Sequence, residues 1–289
     1  MILIAVIVLG LAGLLLGLGL AFSDRWLAVA VDPRVTAVRA ALPGTNCGAC
    51  GFPGCDGAAA AVAAGGAPVT LCVAGGQGVA NEVAAVMGVA AGAVEKRVAL
   101  VFCQGGAGKA VVKYRYAGVP DCRAAVLIAG GPKACPYACA GLGNCTRVCP
   151  CGAIVMGADG IPVVDPARCT GCGLCVAECP KKVIRLVPDA KRYHIRCSSR
   201  DKGPAVKKVC SVGCIACTLC VKNCPSRAIA IDHFLAVMDY ARCTHAGACE
   251  RKCPTGTIVR EVRPGEPLPE APPAAPEPRA APPARVPAG

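Results

Sequence analysis

The sequence contains 24 cysteines in 289 residues, and their spacing is where its chemistry is concentrated. Cysteine thiolates bind soft metal ions and iron–sulfur clusters. Two runs share the spacing C-x2-C-x2-C-x3-C-P. A loop of this kind wraps three thiolates around one cubane-shaped cluster, and the fourth cysteine serves a neighbouring cluster. The two complete runs are Cys169, Cys172, Cys175, Cys179 and Cys214, Cys217, Cys220, Cys224.

Two further runs lack the second cysteine of this spacing. Leu142 stands at that place in the first run and Ala246 in the second. Cys135 lies shortly before the first of these runs, and we expect its thiolate to replace the missing ligand. The cysteines that keep their places are Cys139, Cys145, Cys149 and Cys243, Cys249, Cys253.

Cross-ligation between neighbouring runs sorts these thiolates into ligand sets. For the set that is one thiolate short, three outcomes stay open: a three-iron cluster, a fourth donor from Cys197, Cys210 or His245, or an empty site. The predicted sets are Cys135, Cys139, Cys145 and Cys179; Cys149, Cys169, Cys172 and Cys175; Cys214, Cys217, Cys220 and Cys253; and the short set Cys224, Cys243 and Cys249.

A different block, NCGACGFPGC followed by Cys72, lies nearer the amino terminus and has the spacing C-x2-C-x4-C-x16-C. Its glycines let the backbone approach an inorganic core closely, and backbone amides can donate to cluster sulfurs. Zinc is the alternative here, but the block contains no histidine, and zinc ribbons do not use the Cys-Pro rhythm of the other runs. The sequence thus predicts four [4Fe–4S] clusters and one incomplete iron–sulfur site. The ligands of this block are Cys47, Cys50, Cys55 and Cys72.

Five cysteines remain without a predicted ligand set: Cys103, Cys122, Cys151, Cys197 and Cys210. Cys103 follows an apolar run at 98–102, which predicts a short buried strand with a packed thiol after it. Cys122 lies in a turn and Cys151 is expected to pack against apolar neighbours. The chain has no Ser/His/Asp set, no paired acids and no dinucleotide fingerprint, so no catalytic residue is predicted. Of the histidines, His194 and His233 are expected to be surface or spacer residues.

An uncharged segment from Ile2 to Phe22 predicts a transmembrane helix, because its length matches a bilayer core. A cleaved signal peptide is the alternative, but the basic start and the small-residue cleavage site are missing. Basic residues follow the segment and none precedes it. The positive-inside rule therefore places the amino terminus outside the cell and the cysteine-containing part in the cytoplasm. A reducing cytoplasm favours metal ligation over disulfides.

These elements predict an α+β chain with one membrane helix, a small iron–sulfur domain, two bacterial-ferredoxin-like two-cluster modules and a disordered Pro/Ala-rich tail. A role for the tail as a Pro-rich docking ligand stays open. The expected segments are an anchor at 1–25, a four-cysteine domain at 26–98, a connecting α/β segment at 99–134, modules at 135–187 and 210–260 around a spacer at 188–209, and the tail at 261–289.

Over roughly residues 1–260 the chain resembles the B subunit of the Rnf electron-transport complexes, in the long form with duplicated ferredoxin modules. The apolar amino-terminal segment, NCGACGFPGC, CPYACAGLGNCTRVCP and VCSVGCIACTLCVKNCP carry this resemblance. It implies an iron–sulfur subunit of a membrane-bound, ion-translocating ferredoxin:NAD oxidoreductase. Such a subunit is expected to accept electrons from soluble ferredoxin and to relay them to membrane and NADH-binding subunits. Ala246 departs from the full double-ferredoxin pattern.

Two alternative functions stay open at this point. A membrane-anchored polyferredoxin that feeds a different hydrogenase or dehydrogenase would share the modules without needing NCGACGFPGC. A metal-storage protein would need no cross-ligation.

The formal net charge of +13 suits an acidic protein partner such as ferredoxin, although it also fits an ordinary solvated surface. Nucleic acid is not an expected partner, because 1 Trp, 5 Tyr and 4 Phe offer few rings for base stacking. The basic residues considered for docking are Lys181, Lys182, Lys191, Arg192, Lys207 and Lys208.

Overall fold

The computed structural model describes residues 2–26 and 32–261. Within these residues, helices alternate with short two-stranded antiparallel sheets, which confirms the mixed α+β class. The predicted disordered tail lies outside the described residues, apart from its first residue.

Helix α1 spans Ile2–Trp26 and is apolar over most of its length. From Val6 to Ser23 its mean hydropathy is 2.4, and none of this stretch is buried in the protein. At 1.5 Å per residue, a helix of this length spans a bilayer core of about 30 Å. Its length and composition therefore fit the predicted membrane helix.

Three short helices follow and pack around a core of small apolar side chains. Val38, Val62 and Val83 are buried between them. The last helix ends at Gly88, whose φ of 68° lies in the left-handed region that glycine adopts easily. This packing fixes the two loops that carry NCGACGFPGC and Cys72. The helices are α2 (Pro33–Ala41), α3 (Gly54–Ala63) and α4 (Gly76–Met87).

The next part of the chain forms a unit whose first and last strands pair with each other. Strand β1 (Arg97–Val101) is the buried strand expected from the sequence, and that prediction is confirmed. It pairs antiparallel with β4 (Ile184–Pro188), so that Val101 lies opposite Ile184. The elements between them are α5 (Cys122–Leu127), α6 (Asn144–Arg147), the hairpin of β2 (Ile154–Met156) and β3 (Pro162–Val164), and α7 (Leu174–Glu178).

The second unit repeats this order of elements. Strand β5 (Tyr193–Ile195) pairs antiparallel with β8 (Ile258–Arg260), and an inner hairpin lies between them. Leu235 and Ile195 belong to its buried core. The elements between the outer strands are α8 (Gly203–Val209), α9 (Leu219–Lys222), the hairpin of β6 (Ile229–Asp232) and β7 (Leu235–Met238), and α10 (Ala248–Arg251).

In each unit, the first strand lies upstream of the predicted module, which was taken to begin at its first cysteine run. Strand β1 reaches back into the predicted four-cysteine domain, and β5 lies within the predicted spacer. The reason is burial: four of the five residues of β1 and the last two of β5 face the apolar core of their unit. The segments labelled connector and spacer therefore contribute to the two cores.

The turn before each cysteine-bearing helix has a repeated backbone shape, with two left-handed residues separated by one position. Such alternation curls the loop so that successive cysteines face the same interior. In the second unit, non-glycine residues occupy most of these positions, which costs about 1 kcal/mol each. The left-handed pairs are Gly141 and Gly143, Gly171 and Gly173, Ala216 and Thr218, and His245 and Gly247.

We expect Gly171→Ala to destabilise the first unit more than Gly160→Ala. Both glycines have left-handed φ values, 70° and 74°, so both substitutions bring a backbone strain of about 1 kcal/mol. A Cβ on residue 171 would also lie 2.3 Å from the carbonyl oxygen of Arg97, whereas one on residue 160 meets nothing within 4 Å. The clash adds about 1–3 kcal/mol. Thermal loss of visible absorbance in the purified protein measures the difference, and equal midpoints for the two variants would contradict it.

Candidate iron–sulfur centres

The cysteines of the described part are free thiols that gather around cavities. Across residues 2–26 and 32–261, no group of three or more His, Cys, Asp or Glu side chains is close enough to hold one metal ion. Instead, sets of cysteines surround spaces of about 300–390 Å³. Thiolates on a zinc ion sit about 2.3 Å from it, whereas a four-iron core holds them farther apart. The thiol sets therefore fit a cluster rather than a single zinc ion.

Site A consists of Cys47, Cys50, Cys55 and Cys72, which the loops between α2, α3 and α4 bring together. Burial raises the pKa of the Cys72 thiol, and repulsion from the other three thiolates adds to the rise. Asn46 fixes the loop, because its side-chain oxygen accepts the N–H of Cys55 at 2.8 Å. The structure thus unites the four cysteines predicted for this site.

Site B consists of Cys149, Cys169, Cys172 and Cys175, around a cavity of about 300 Å³. The N–H of Ala99, in β1, donates to the sulfur of Cys169 at 3.4 Å. The sulfur of Cys149 likewise accepts the N–H of Ala153 at 3.3 Å. These thiols match the predicted set.

Site C differs from the predicted set in one member. Its cavity of about 380 Å³ is lined by Cys139, Cys145 and Cys179 as expected, but the fourth thiol is Cys122 and not Cys135. Cys122 is the first residue of α5, which projects it toward the other three. Cys122 lies too far along the chain from the cysteine run for any spacing pattern to indicate that it belongs to this site.

Asn144 positions the members of site C, a role that no sequence pattern indicated. The side chain is almost fully buried. Its oxygen accepts the N–H of Cys122 at 2.8 Å, and its NH2 donates to Asp121 at 2.8 Å and to Glu178 at 2.9 Å. One amide therefore ties the start of α5 to α6 and α7, beside Cys145 and Cys179.

Site E lies in the second unit and consists of Cys214, Cys217, Cys220 and Cys253, around a cavity of about 340 Å³. Burial, followed by repulsion from the other three thiolates, raises the pKa of Cys220 to about 12. The N–H of Ala236, on β7, donates to the sulfur of Cys214 at 3.5 Å. The structure unites the four thiols predicted from cross-ligation.

Site F contains Cys224, Cys243 and Cys249, in a cavity of about 300 Å³ that is also lined by His245 and Ala246. Among the described residues, the Nε2 atom of His245 is buried and has no hydrogen-bond partner. Of the donors left open by the sequence, only His245 is at this cavity.

Site D is a set that the sequence did not predict. A cavity of about 390 Å³ is lined by four cysteines. Of these, Cys135 was predicted for site C and Cys103 was expected to be a packed thiol, whereas the other two were possible donors to the short set. Its members are Cys103, Cys135, Cys197 and Cys210.

The sites follow one another in a definite order. Repulsion from Cys47 of site A contributes to the raised pKa of Cys172 in site B, after burial as the main cause. Burial also raises the pKa of Cys175 in site B to about 12, with a contribution from Cys145 in site C. Sites E and F share one buried core. The lettering A to F follows this spatial order, with site D between C and E.

His194 lies within the predicted spacer, but it is not a surface residue. Its side chain is about 1% exposed, with Nδ1 2.9 Å from the Tyr240 hydroxyl and Nε2 3.1 Å from the Lys191 carbonyl oxygen. Burial lowers its pKa to about 4, so the ring is neutral at physiological pH. His194 lies on β5, the strand that the sequence did not assign to the core. His233 is exposed, as expected.

Of the six basic residues considered for docking, Arg192 is partly buried and the other five fall into two groups. Lys182, Lys207 and Lys208 are exposed. Lys181 and Lys191 are partly buried and donate to the carbonyl oxygens of Pro136, at 2.6 Å, and Cys243, at 2.9 Å. The second group therefore has a structural role, which leaves the exposed group for long-range steering.

Three family models match parts of the chain that contain these sites. Residues 42–74 match the family described as "Putative Fe-S cluster", which covers site A. Residues 162–185 match "4Fe-4S binding domain" and residues 213–257 match "4Fe-4S dicluster domain".

Curated relatives match over most of the chain. It is 46% identical to the B subunit of the Na(+)-translocating ferredoxin:NAD(+) oxidoreductase complex of Acetobacterium woodii, over 92% of this chain and 80% of the relative. It is 48% identical to the B subunit of the proton-translocating ferredoxin:NAD(+) oxidoreductase complex of Clostridium ljungdahlii, over 87% and 90%. The B subunit of the ion-translocating oxidoreductase complex of Methanosarcina acetivorans is 41% identical, over 88% and 96%. With the thiol sites in place, these matches confirm the resemblance seen in the sequence: the chain belongs to the family of B subunits of the Rnf-type, ion-translocating ferredoxin:NAD oxidoreductase complexes.

Proposed function

We propose that this chain is the iron–sulfur electron-transfer subunit of a membrane-bound, ion-translocating ferredoxin:NAD oxidoreductase. It accepts electrons from soluble ferredoxin and relays them to the membrane and NADH-binding subunits. The observation that carries the proposal is the unbroken order of thiol sites from A to F. A storage protein has no need for metal sites held in close succession, whereas a relay requires them.

The cysteines of sites A, B, C and E are proposed to hold one [4Fe–4S] cluster each. When bound, such a cluster supplies one-electron uptake and release. The chain supplies the thiolates, backbone N–H donors to the sulfurs and an apolar surrounding. The pKa of Cys139 is raised to about 12, by burial first and then by repulsion from Cys103. Because binding requires thiolates, an iron core must displace protons from such thiols, and loading is coupled to proton release.

Site F is proposed to hold a cluster with mixed ligation. Ala246 offers no donor, and Cys197 and Cys210 line the cavity of site D. His245 supports the role of fourth donor, because its Nε2 atom is buried at the cavity without a hydrogen-bond partner among the described residues. An imidazole in place of a thiolate raises the reduction potential of an iron–sulfur site.

The membrane attachment and its orientation are further parts of the proposal. The exposed apolar helix α1 supports a single-pass anchor in the cytoplasmic membrane. Arg34 and Arg39 follow it, which favours an outside amino terminus and iron–sulfur sites in the cytoplasm. We propose two ferredoxin-like modules bounded by their outer strands, at 97–188 and 193–260, and a disordered tail after them.

A polyferredoxin of another membrane complex is the alternative function. Site A counts against it, because the small modules of ferredoxins do not require the NCGACGFPGC block. Anaerobic purification with iron and sulfide analysis tests whether the chain binds clusters. Reduction by chemically reduced soluble ferredoxin, followed by stopped-flow absorbance, tests the electron transfer.

We expect the rate constant of that reduction to fall as ionic strength rises, because ferredoxins are acidic and the exposed lysines steer them. Lys207→Gln with Lys208→Gln should slow the reaction about two- to tenfold at low salt, and the difference should vanish at high salt. Arg115→Gln with Lys252→Gln removes the same charge from other exposed positions and serves as the control. Equal slowing by both pairs would contradict a specific docking face.

A further inference from the structure

The thiols around site D come from four separate segments of the chain. Cys103 follows β1 and Cys197 follows β5, the two outer strands of the modules. Cys210 directly follows α8, and an isolated bridge joins it to Ala110. Cys135 follows a segment tied to Val111, whose carbonyl oxygen accepts the N–H of Ala134 at 2.8 Å. Separate elements of both modules thus converge on one cavity.

Two thiols of this set accept backbone N–H donors, as sulfurs that ligate iron characteristically do. The sulfur of Cys197 accepts the N–H groups of Ser199 and Cys214, both at 3.4 Å. The sulfur of Cys103 accepts the N–H of Cys139 at 3.5 Å. Backbone N–H groups also lie near the two others, that of Tyr137 beside Cys135 and those of Val212 and Gly213 beside Cys210.

Two glycines line the cavity at places where a side chain would crowd its wall. Gly105 has no side chain where a Cβ would lie 3.6 Å from the sulfur of Cys210 and 3.7 Å from that of Cys103. A Cβ on Gly213 would collide with Val206 at 2.4 Å. Arg196 also lines the cavity and is held by the carbonyl oxygen of Val101, which accepts its Nε–H at 3.1 Å. Its positive charge suits a site that carries net negative charge when loaded.

The position of the cavity completes the order of sites. Cys103 accepts its hydrogen bond from the peptide N–H of Cys139, a member of site C. Cys197 accepts one from the peptide N–H of Cys214, a member of site E. Site D is therefore hydrogen-bonded directly to site C in the first module and to site E in the second.

We propose that Cys103, Cys135, Cys197 and Cys210 hold an additional [4Fe–4S] cluster that connects the two ferredoxin-like modules. The inference rests on the proposed cluster-binding function and assigns four thiols that cysteine spacing leaves without a partner. With site D included, every cysteine of the chain is assigned as a ligand except Cys151, which lines the cavity of site B as a fifth thiol.

Two simpler explanations account for less of the geometry. Packed structural thiols would not bring cysteines from four separate segments to one cavity, with backbone N–H groups donating to the sulfurs of Cys103 and Cys197. A single zinc ion would require the sulfurs to lie closer together than they do among the described residues.

The test is metal and sulfide analysis of the full chain purified anaerobically. Cys103→Ala with Cys197→Ala removes a ligand from each side, and we expect it to lose about four irons and four sulfides per chain. Ser198→Ala is the matched control, because it removes a partly buried side chain that lines the same cavity without removing a thiol, and its iron content should equal that of the wild type. Cys210→Ala alone leaves three thiolates, and we expect the EPR signal of an oxidised three-iron cluster.

The outcomes separate this inference from the proposed function. A wild type that contains no iron would overturn both. Iron in the wild type that is unchanged in the double variant, with no three-iron signal in Cys210→Ala, would overturn the site D cluster alone. Loss of zinc instead of iron in the double variant would also overturn it. If the double variant does not fold, the EPR spectrum of Cys210→Ala alone tests the site D cluster.

Discussion

A chain that begins at residue 32 is expected to move completely from the membrane to the soluble fraction and to keep its iron. Helix α1 is apolar and unburied, and its Leu, Ile, Val and Phe side chains favour the bilayer by roughly 5 kcal/mol in total. All proposed ligands lie at or beyond Cys47, outside this helix. Fractionation of cells that express the chain without partner subunits, followed by iron analysis, measures both effects.

A point-substituted full chain provides a sharper version of this experiment. Leu11→Lys with Leu15→Lys places two charges near the centre of α1, at about 2.5–3.5 kcal/mol each, which offsets the whole insertion energy. Leu11→Ile with Leu15→Ile keeps the helix apolar and should stay in the membrane. A shortened chain that still sediments with washed membranes would show that another surface attaches it.

Replacing His245 should have a large effect on site F, and a second substitution should reverse it. His245→Asn removes the imidazole while tolerating the left-handed backbone at φ 61°, so we expect about one iron to be lost and a three-iron EPR signal to appear. Adding Ala246→Cys restores a fourth donor at the place where a complete run has cysteine, and iron should return. Ala246→Cys alone should keep the iron content and lower the reduction potential of the site.

Thr244→Ala is the control for this series, because residue 244 is exposed in the same loop. Its iron content and redox titration should match those of the wild type. An unchanged EPR spectrum in His245→Asn would mean that His245 is not a ligand. If Ala246→Cys alone raised the iron content, the wild-type site would have only its three cysteines.

Much of this arrangement could be predicted from local spacing. The runs that form sites B and E lie within tight loops, so the distance along the chain determines which thiols meet. The apolar character of α1 and β1 was equally visible, since each is a continuous segment.

The rest depended on contacts between distant segments. Cys122 reaches site C only because Asn144 ties α5 to α6. No residue pattern in the sequence predicts this role of the Asn144 side chain. Cys135 was placed in the wrong cavity by reasoning from proximity along the chain. Cys197 and Cys103 follow outer strands, whose pairing partners lie at the far ends of their modules.

The pairing of β1 with β4 has a consequence for biosynthesis. Arg97 leaves the ribosome long before Pro188, its partner in the sheet. At typical bacterial elongation rates, the interval is roughly 5 to 20 s. During that time Cys103, Cys122 and Cys139 emerge one after another without the strand that encloses them. Cofactor delivery must therefore follow translation of the whole first module, and the thiols need protection by chaperones or a reducing cytosol until then.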